Sequence, residues 1–349
     1  MPPNVVLVTG VSRHLGGRVA ARLAADSRIE RVIGVDTTPP SGDVAELIGR
    51  TEFVRADIRN PLIAKVIATA GVDTVVHMNV VATPLGAGGR SSMKEFNVIG
   101  TMQMLAACQK APSVRKLVVR STTAVYGSSP RDPAMFTEET DAKGPPRGGY
   151  AKDAVEVEGY VRGFARRRPD VTVTVLRFAN FLSPHIETPL TKYFEMPAMP
   201  TVLGFDPRLQ FLHVQDGLDI LQMSALQDQH GTFNVAGPGV LLLSQAIRRA
   251  GRVGIPIPQV AVSTLGMLLR STGAADFSPE QLSFLTHGRV VDIGKAERAF
   301  GWTPHYSTVE AFDDFVRGRN FSSVLSPENV KMVEREVLAR VTGRRDDHG

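Results

Sequence analysis

Tyr150 carries the phenol best placed for acid–base work in this chain, and its neighbours set the terms on which it could act. It stands at the start of a helix-like segment running from Pro146 through Glu158. A phenol ionises near pH 10, about three units too high for general-base work at neutrality unless a cation stands beside it. Residues four apart on a helix share a face, and residues two apart do not. The residue four beyond Tyr150 is Ala154, which has no charge, and Lys152 lies only two beyond. Helical spacing therefore makes Lys152 a solvated surface lysine, unless it reaches round at a frayed helix start. Thr122 has a hydroxyl that can hydrogen-bond a substrate but is a poor base near neutrality. Tyr126 reads as a packed aromatic and His213 as a structural histidine. Cys108 is the single cysteine, which excludes an internal disulfide, and no group of His, Asp or Glu has metal-ligand spacing, so no metal is expected.

A second chemical feature lies at the other end of the chain. Val8 to Gly17 follow a short apolar run and open a helix. A turn carrying Gly10 and Gly16 lets backbone approach a pyrophosphate, and the helix start at His14 and Leu15 offers aligned N–H donors. Arg13 takes the place of a middle glycine, so its side chain either swings outward or meets the ligand, at a pyrophosphate or a 2′-phosphate. Asp36 ends the next apolar run, about twenty residues on, where a carboxylate accepts hydrogen bonds from ribose hydroxyls. Its charge would repel a 2′-phosphate, so NAD is expected rather than NADP.

These groups need a scaffold, and the apolar pattern supplies one. Strand runs at Val5–Val8, Arg31–Val35, Glu52–Val54, Thr74–His77, Lys116–Val119 and Val171–Leu176 alternate with helical segments at Leu15–Leu23, Pro61–Ala70, Met93–Gln109 and from Tyr150 onward. This is the pattern of a Rossmann-type α/β fold, a doubly wound parallel sheet. Beyond Asn180, prolines 184, 189, 197 and 200 break the alternation. The expected organisation is a dinucleotide-binding domain over 1–180, a smaller C-terminal substrate lobe over 181–317, and a C-terminal helix and tail over 318–349. Strands near 210–214 and 232–235 would pair near the main sheet. A final helix is expected from Ser326, which can cap it.

Composition narrows the classes further. With 349 residues, 43% hydrophobic, the chain can bury a large core without staples. A net charge of +5 is mild and scattered; its densest run, Arg166 to Arg168, falls at a helix end, where cations meet the negative end of the dipole. No nucleic-acid partner is expected. The N-terminal run has neither a basic start nor a long apolar segment, and no stretch has the length to span a bilayer, so a cytoplasmic location is expected.

Further motifs recur in order: Ala56 to Arg59 after the third strand, Val72 to His77, Asn97 to Thr101, Ser121 to Gly127, Leu176 to Asn180, Phe211 to Val214, Asp292 to Ala296 and Phe300 to Pro304. Together with the glycine turn they resemble the extended short-chain dehydrogenase/reductases, the NAD-dependent epimerase/dehydratase group typified by UDP-galactose and UDP-glucose 4-epimerases, from about Val5 to about Arg317. The resemblance implies an enzyme that binds NAD tightly and acts on a nucleotide sugar by transient hydride transfer. It implies that Asp57 meets the adenine, with Ile58 beside it, and that Asn97 organises the active site. It places Thr122 at the catalytic Ser/Thr and Tyr150 at the acid–base tyrosine, which also touches cofactor. It assigns Asn180 to substrate phosphate, and Arg208 falls one place early for a phosphate-binding arginine. No second such arginine is located before Asp292. A homodimer through the helices around Met93–Gln109 and Ala151–Arg167 is also implied.

The departures from this family matter as much. Its Tyr-x-x-x-Lys pair, with a glutamate four beyond the lysine, fits here in two registers. Tyr150, Ala154 and Glu158 form one; Gly148, Lys152 and Glu156 form the other. The first is preferred, because Tyr150-Ala151 also matches the family's opening pair. Asn79 and Val80 replace small alanines. Two other functions therefore stay open: a non-catalytic dinucleotide-binding sensor or scaffold, and a reductase of an apolar steroid- or lipid-type ketone, the latter kept by the sparse arginines and the apolar run Val262 to Leu269.

Overall fold

The computed structural model of the protein describes residues 3–78, 89–140, 146, 148–259 and 278–321. The helix expected from Ser326, the apolar run Val262 to Leu269, and Asn79 and Val80 lie outside the described residues. The first half alternates strands β1 (Val5–Thr9), β2 (Arg31–Asp36), β3 (Glu52–Arg55), β4 (Thr74–His77), β5 (Lys116–Thr122) and β6 (Thr172–Phe178) with helices α1 (His14–Ala25), α2 (Asp43–Leu47), α3 (Leu62–Thr69), α4 (Gly89–Lys94), α5 (Gly100–Lys110) and α6 (Gly149–Arg167). The second half contains β7 (Asn180–Leu182), α7 (Pro189–Glu195), β8 (Ala198–Val202), β9 (Arg208–Leu209), β10 (Phe211–His213), α8 (Val214–Leu226), β11 (Gly231–Val235), β12 (Leu241–Leu242), α9 (Leu243–Arg249), β13 (Val253–Ile257), α10 (Pro279–His287), α11 (Gly294–Phe300) and α12 (Thr308–Gly318).

Seven strands form one parallel sheet in the order β11-β6-β5-β4-β1-β2-β3. The chain order reverses between β1 and β4, which opens a crevice at the strands' carboxyl ends. Side chains alternate across the sheet. Val6, Val8, Val118 and Leu176 join the core under α1 and α8, whereas Leu7, Leu117, Val119, Val173 and Val175 face α3, α5 and α6. Burial on both faces explains why these strands read as continuous apolar runs. A separate core of Leu182, Leu190, Phe194, Phe211, Phe312 and Phe315 lies in the second half.

Two details differ from the sequence expectation. The strand at 231–235 joins the main sheet itself, while Phe211–His213 pairs with Asn180–Leu182 as a separate two-stranded ribbon. The long helix expected over Met93–Gln109 is interrupted by a π-helical turn, Glu95–Ile99, between α4 and α5. Such turns insert one residue into the helical ladder and recur at functional sites.

His77 ties three elements together beneath the crevice. Thr101 Oγ1 donates to the Asn97 carbonyl at 2.6 Å, so it accepts from His77 Nε2 at 2.9 Å. Thr9 Oγ1 accepts from the Met78 amide at 3.1 Å and donates to His77 Nδ1 at 3.0 Å. The ring is fully buried and neutral, and burial pulls its pKa down to about 4. The stability this arrangement confers is complete above the unfolded-state pKa of about 6.5 and is lost as pH falls toward 4, because the unfolded chain binds a proton that the folded chain refuses. Between pH 7 and 4.5 the site should cost roughly 2 kcal/mol of stability. Urea midpoints at the two pH values should show this loss in the wild-type chain and a correspondingly smaller one in His77→Gln; equal losses would remove His77 from the account.

Candidate active site

The turn between β1 and α1 closes on its glycines. Gly10 has φ 74°, and a Cβ at Gly16 would overlap the Gly10 carbonyl. Arg13 caps α1 with φ −98° and ψ 149°, an extended conformation open to any residue, so losing the middle glycine does not strain this turn. Its half-buried guanidinium lies within electrostatic reach of Asp36 on one side and Arg120 on the other; burial lowers its pKa and Asp36 raises it. The buried Asp36 carboxylate accepts from the Ser12 amide at 3.1 Å and the Thr37 amide at 2.8 Å. Thr37 Oγ1 also donates to Oδ1, at 3.4 Å, so it is Oδ2 that retains a lone pair. His14 and Leu15 form the first turn of α1; Leu15 is buried, and His14 Nε2 is buried with no hydrogen-bond partner among the described residues. Asp57 is gripped by Arg59, whose hydrogen bonds hold the carboxyl below its usual range. Ile58 is buried beside it against Gly100, where a Cβ would overlap the Ile58 side chain.

The crevice also holds Thr122 and Tyr150. Thr122 ends β5, and its Oγ1 accepts from the Ala124 amide at 3.2 Å, capping a 3-10 turn at Thr123–Tyr126. Tyr150 lies in the first turn of α6, where the Thr122 hydroxyl acts on its phenol. Burial pushes the Tyr150 phenol above its ordinary pKa; Arg120, Thr122 and Arg289 pull it back, and Asp153 pushes it up. Ala154 is buried in the core and Lys152 is exposed to solvent. Lys152 thus lies on the outer face of α6, and Tyr150 carries no lysine on its own face four residues on.

Several contacts fix the start of α6. Gly149 has φ 61°, and a Cβ there would overlap the Glu280 carboxylate. The Glu280 carboxylate thus lies against this helix N-terminus, where a negative charge is favoured. Arg90 of α4 makes a two-pronged bond to the buried Asp153 at 2.5 and 2.6 Å and donates to the Gly149 carbonyl at 2.5 Å. Asn97, buried in the π turn, donates to Asp153 at 3.3 Å. Behind Thr122, the buried Glu158 accepts from Ser121 at 2.6 Å and from Arg177, which in turn donates to the Tyr126 hydroxyl at 2.8 Å. Tyr126 donates to Asn234 at 2.8 Å, as befits a packed aromatic. His213 accepts from the Gln215 amide and stacks on Tyr306.

Sequence reading missed Arg120, Arg289, Glu280 and the Arg90–Asp153 pair. Arg120 carried a usable signal, since strand alternation puts it on the same sheet face as Thr122. Arg289 has a buried Nε with no hydrogen-bond partner among the described residues, and burial takes its pKa down to about 10 beside Asp132, Glu280 and Tyr150. Asn180 begins β7 and is half-buried opposite Phe211. Arg208 is exposed, with its carbonyl accepting from the Arg289 amide at 3.2 Å. Asp216, Asp219 and His305 meet in space, but Asp216 already accepts two backbone amides and Asp219 pairs with Arg22.

Known proteins match this arrangement. A model of the NAD dependent epimerase/dehydratase family matches residues 6–236. An uncharacterised protein of Mycobacterium tuberculosis is 49% identical over 332 residues, covering 95% of this chain and 88% of that one. UDP-glucose 4-epimerase 2 of Oryza sativa is 31% identical over 197 residues, 52% of this chain and 46% of that protein. Among solved structures, a Thermotoga maritima UDP-glucose 4-epimerase with UDP-glucose superposes with a TM-score of 0.68 at 19% identity, covering 90% of this chain and 98% of that one. A Streptomyces venezuelae dTDP-glucose 4,6-dehydratase with NAD bound gives 0.64 at 24% identity, covering 90% and 97%. These structures share the fold, and the chain belongs to the NAD-dependent epimerase/dehydratase family.

Proposed function

We propose that this protein is an NAD-dependent epimerase or dehydratase of nucleotide sugars, similar to a UDP-glucose 4-epimerase. The observation that carries this reading is the meeting of Thr122 and Tyr150 at the carboxyl end of the sheet that also bears the Gly10–Gly16 turn and the buried Asp36. The residues fit the dinucleotide at its adenosine end: the glycines leave room for backbone approach, Asp36 Oδ2 keeps a lone pair for a ribose hydroxyl, and His14 Nε2 is a buried polar atom without a protein partner among the described residues. Gly10, Arg13, His14, Leu15, Gly16, Asp36, Asp57, Ile58 and Asn97 would hold it, with Tyr150 at its reactive end. NAD supplies a hydride acceptor when bound. Tyr150 would take the proton of the sugar hydroxyl, and Thr122 would orient that hydroxyl. Asn180 and Arg208 remain the candidates for the substrate's phosphates.

The buried Ala154 favours one other reading, a dinucleotide-binding protein without turnover, because alanine leaves Tyr150 without the family's cation. Calorimetric titration of nucleotide-free protein should show NAD binding at least about 10-fold tighter than NADP, about 1.4 kcal/mol, with the preference lost in Asp36→Ala. Binding of neither cofactor would end the enzymatic reading. On a panel of UDP- and dTDP-sugars, Tyr150→Phe should lower kcat by roughly 10²- to 10⁴-fold while leaving NAD affinity intact. An unchanged kcat would remove Tyr150 from the chemistry.

We also propose a homodimer. Ile99, Met102 and Tyr160 are 42%, 37% and 41% exposed on the π turn, α5 and α6, and α5 packs against α6. An apolar patch on paired long helices suits a second copy of the same helices. Sedimentation equilibrium should give a dimer at micromolar concentration and a monomer for Met102→Glu/Tyr160→Glu; a monomeric wild-type chain would sink the proposal.

A further inference from the structure

We propose that Arg120 supplies the positive charge that Tyr150 needs, taking over from a neighbouring strand the part that a lysine on the tyrosine's own helix plays elsewhere in the family. The inference rests on the reading of Tyr150 as the acid–base group. Its starting point is geometric. Ala154, four residues beyond Tyr150, is buried and uncharged, and Lys152 is exposed, so α6 presents no cation to the phenol. Arg120 lies two residues before Thr122 on β5, and strand alternation sends both side chains to one face of the sheet. Their backbone register is fixed by pairing with β6, Arg120 opposite Leu176 and Thr122 opposite Phe178. Thr122 is the residue whose hydroxyl acts on the Tyr150 phenol. The Arg120 guanidinium is held over the Phe181 ring at 5.7 Å, an attractive cation–π placement that limits where it can swing.

The groups that act on Tyr150 are Arg120 from β5, Thr122 from the end of that strand, Arg289 from the segment after α10, and Asp153 from α6 itself. Of the two arginines, Arg289 also serves Asp132 and Glu280. Arg120 is the stronger of the two on Tyr150, and it shares a sheet face with Thr122. A guanidinium stays protonated throughout the working pH range, so the supporting charge never titrates away. Arg120 is thus a positioning residue that acts through Tyr150.

The test reads the phenol directly and needs no turnover. The full chain is produced with 3,5-difluorotyrosine in place of its five tyrosines, whose more acidic phenols titrate while the protein is folded, and followed by fluorine NMR against pH. Tyr150→Phe assigns the signal. In Arg120→Gln the Tyr150 midpoint should rise by one unit or more, a tenfold loss of ionisation, and Arg120→Lys should recover most of it. Arg120→Met, which keeps apolar contact with Phe181, replaces the glutamine variant if that fails to fold. In the Arg120→Gln background, Ala154→Lys should bring the midpoint back down. An unmoved midpoint in the charge-removing variant, or a shift seen in Arg289→Gln but not there, overturns the proposal. The same samples assayed on nucleotide sugars separate the two readings. An Arg120-dependent midpoint with no turnover in the wild-type chain leaves this proposal standing and sinks the proposed function. Turnover with an Arg120-independent midpoint does the reverse.

Discussion

A desolvated phenol is a weak acid, and the crevice in this protein is organised around offsetting that desolvation at the half-buried Tyr150. Desolvation is the largest influence on its ionisation, and the three that oppose it come from elsewhere in the chain: Arg120 and Thr122 on β5, and Arg289 after α10. None lies on α6, so their effect depends on where α6 begins. That point is held by Arg90 on the Gly149 carbonyl and Asp153, by the Glu280 carboxylate against Gly149, and by Asn97 in the π turn. The π turn has a physical role here. It breaks the regular ladder where α4 meets α5, and the buried Asn97 within it reaches Asp153. Burying Asp153 is tolerable because its partner is a two-pronged guanidinium.

The two ends of the crevice are joined by the sheet. β1 carries the glycine turn, β2 ends in Asp36 and β5 ends in Thr122, so parallel pairing fixes their separation without any contact between the groups themselves. His77 stiffens the middle of this row by hydrogen-bonding β1 and α5 at once. Arg120 lies close enough to Arg13 to weaken the hold of Arg13 on its proton, against Asp36, which strengthens it.

The parts of this molecule that depend on near neighbours were legible in its sequence. Short runs of four to seven residues gave the sheet strands, because burial on both faces of most of them leaves only one pattern to read. Gly10, Gly16 and Asp36 were legible because a turn and a strand end impose their own residue types. The problem at Ala154 and Lys152 followed from helical spacing alone, and their burial and exposure agree with it. What could not be read depends on distant pairs. Arg120 is one polar residue in a strand until Tyr150, thirty positions away, and Phe181, sixty-one away, are brought to it. Glu280 explains Gly149 only once α10 lies over the start of α6. The ribbon of Asn180–Leu182 with Phe211–His213 could not be told from a strand of the main sheet, since three buried residues fit either.

The exchange of lysine for arginine across two elements changes more than the location of a charge. A lysine on the tyrosine's own helix is a compact ammonium on a flexible stem, able to reach a cofactor ribose as well as the phenol, whereas a guanidinium is planar, always charged and readily held against an aromatic face. Arg120 sits over Phe181, and Phe181 belongs to the short strand that begins with Asn180. Any movement of that ribbon therefore moves the support of the cation. The charge beside Tyr150 is coupled in this way to the segment that begins the second half of the chain, where Asn180 and the Phe211 ribbon stand. In a site built on a helix lysine the acid–base group and its cation travel together on one rigid element. Here they sit on different elements, and the electrostatic setting of Tyr150 depends on how closely the two halves of the chain are packed around the crevice.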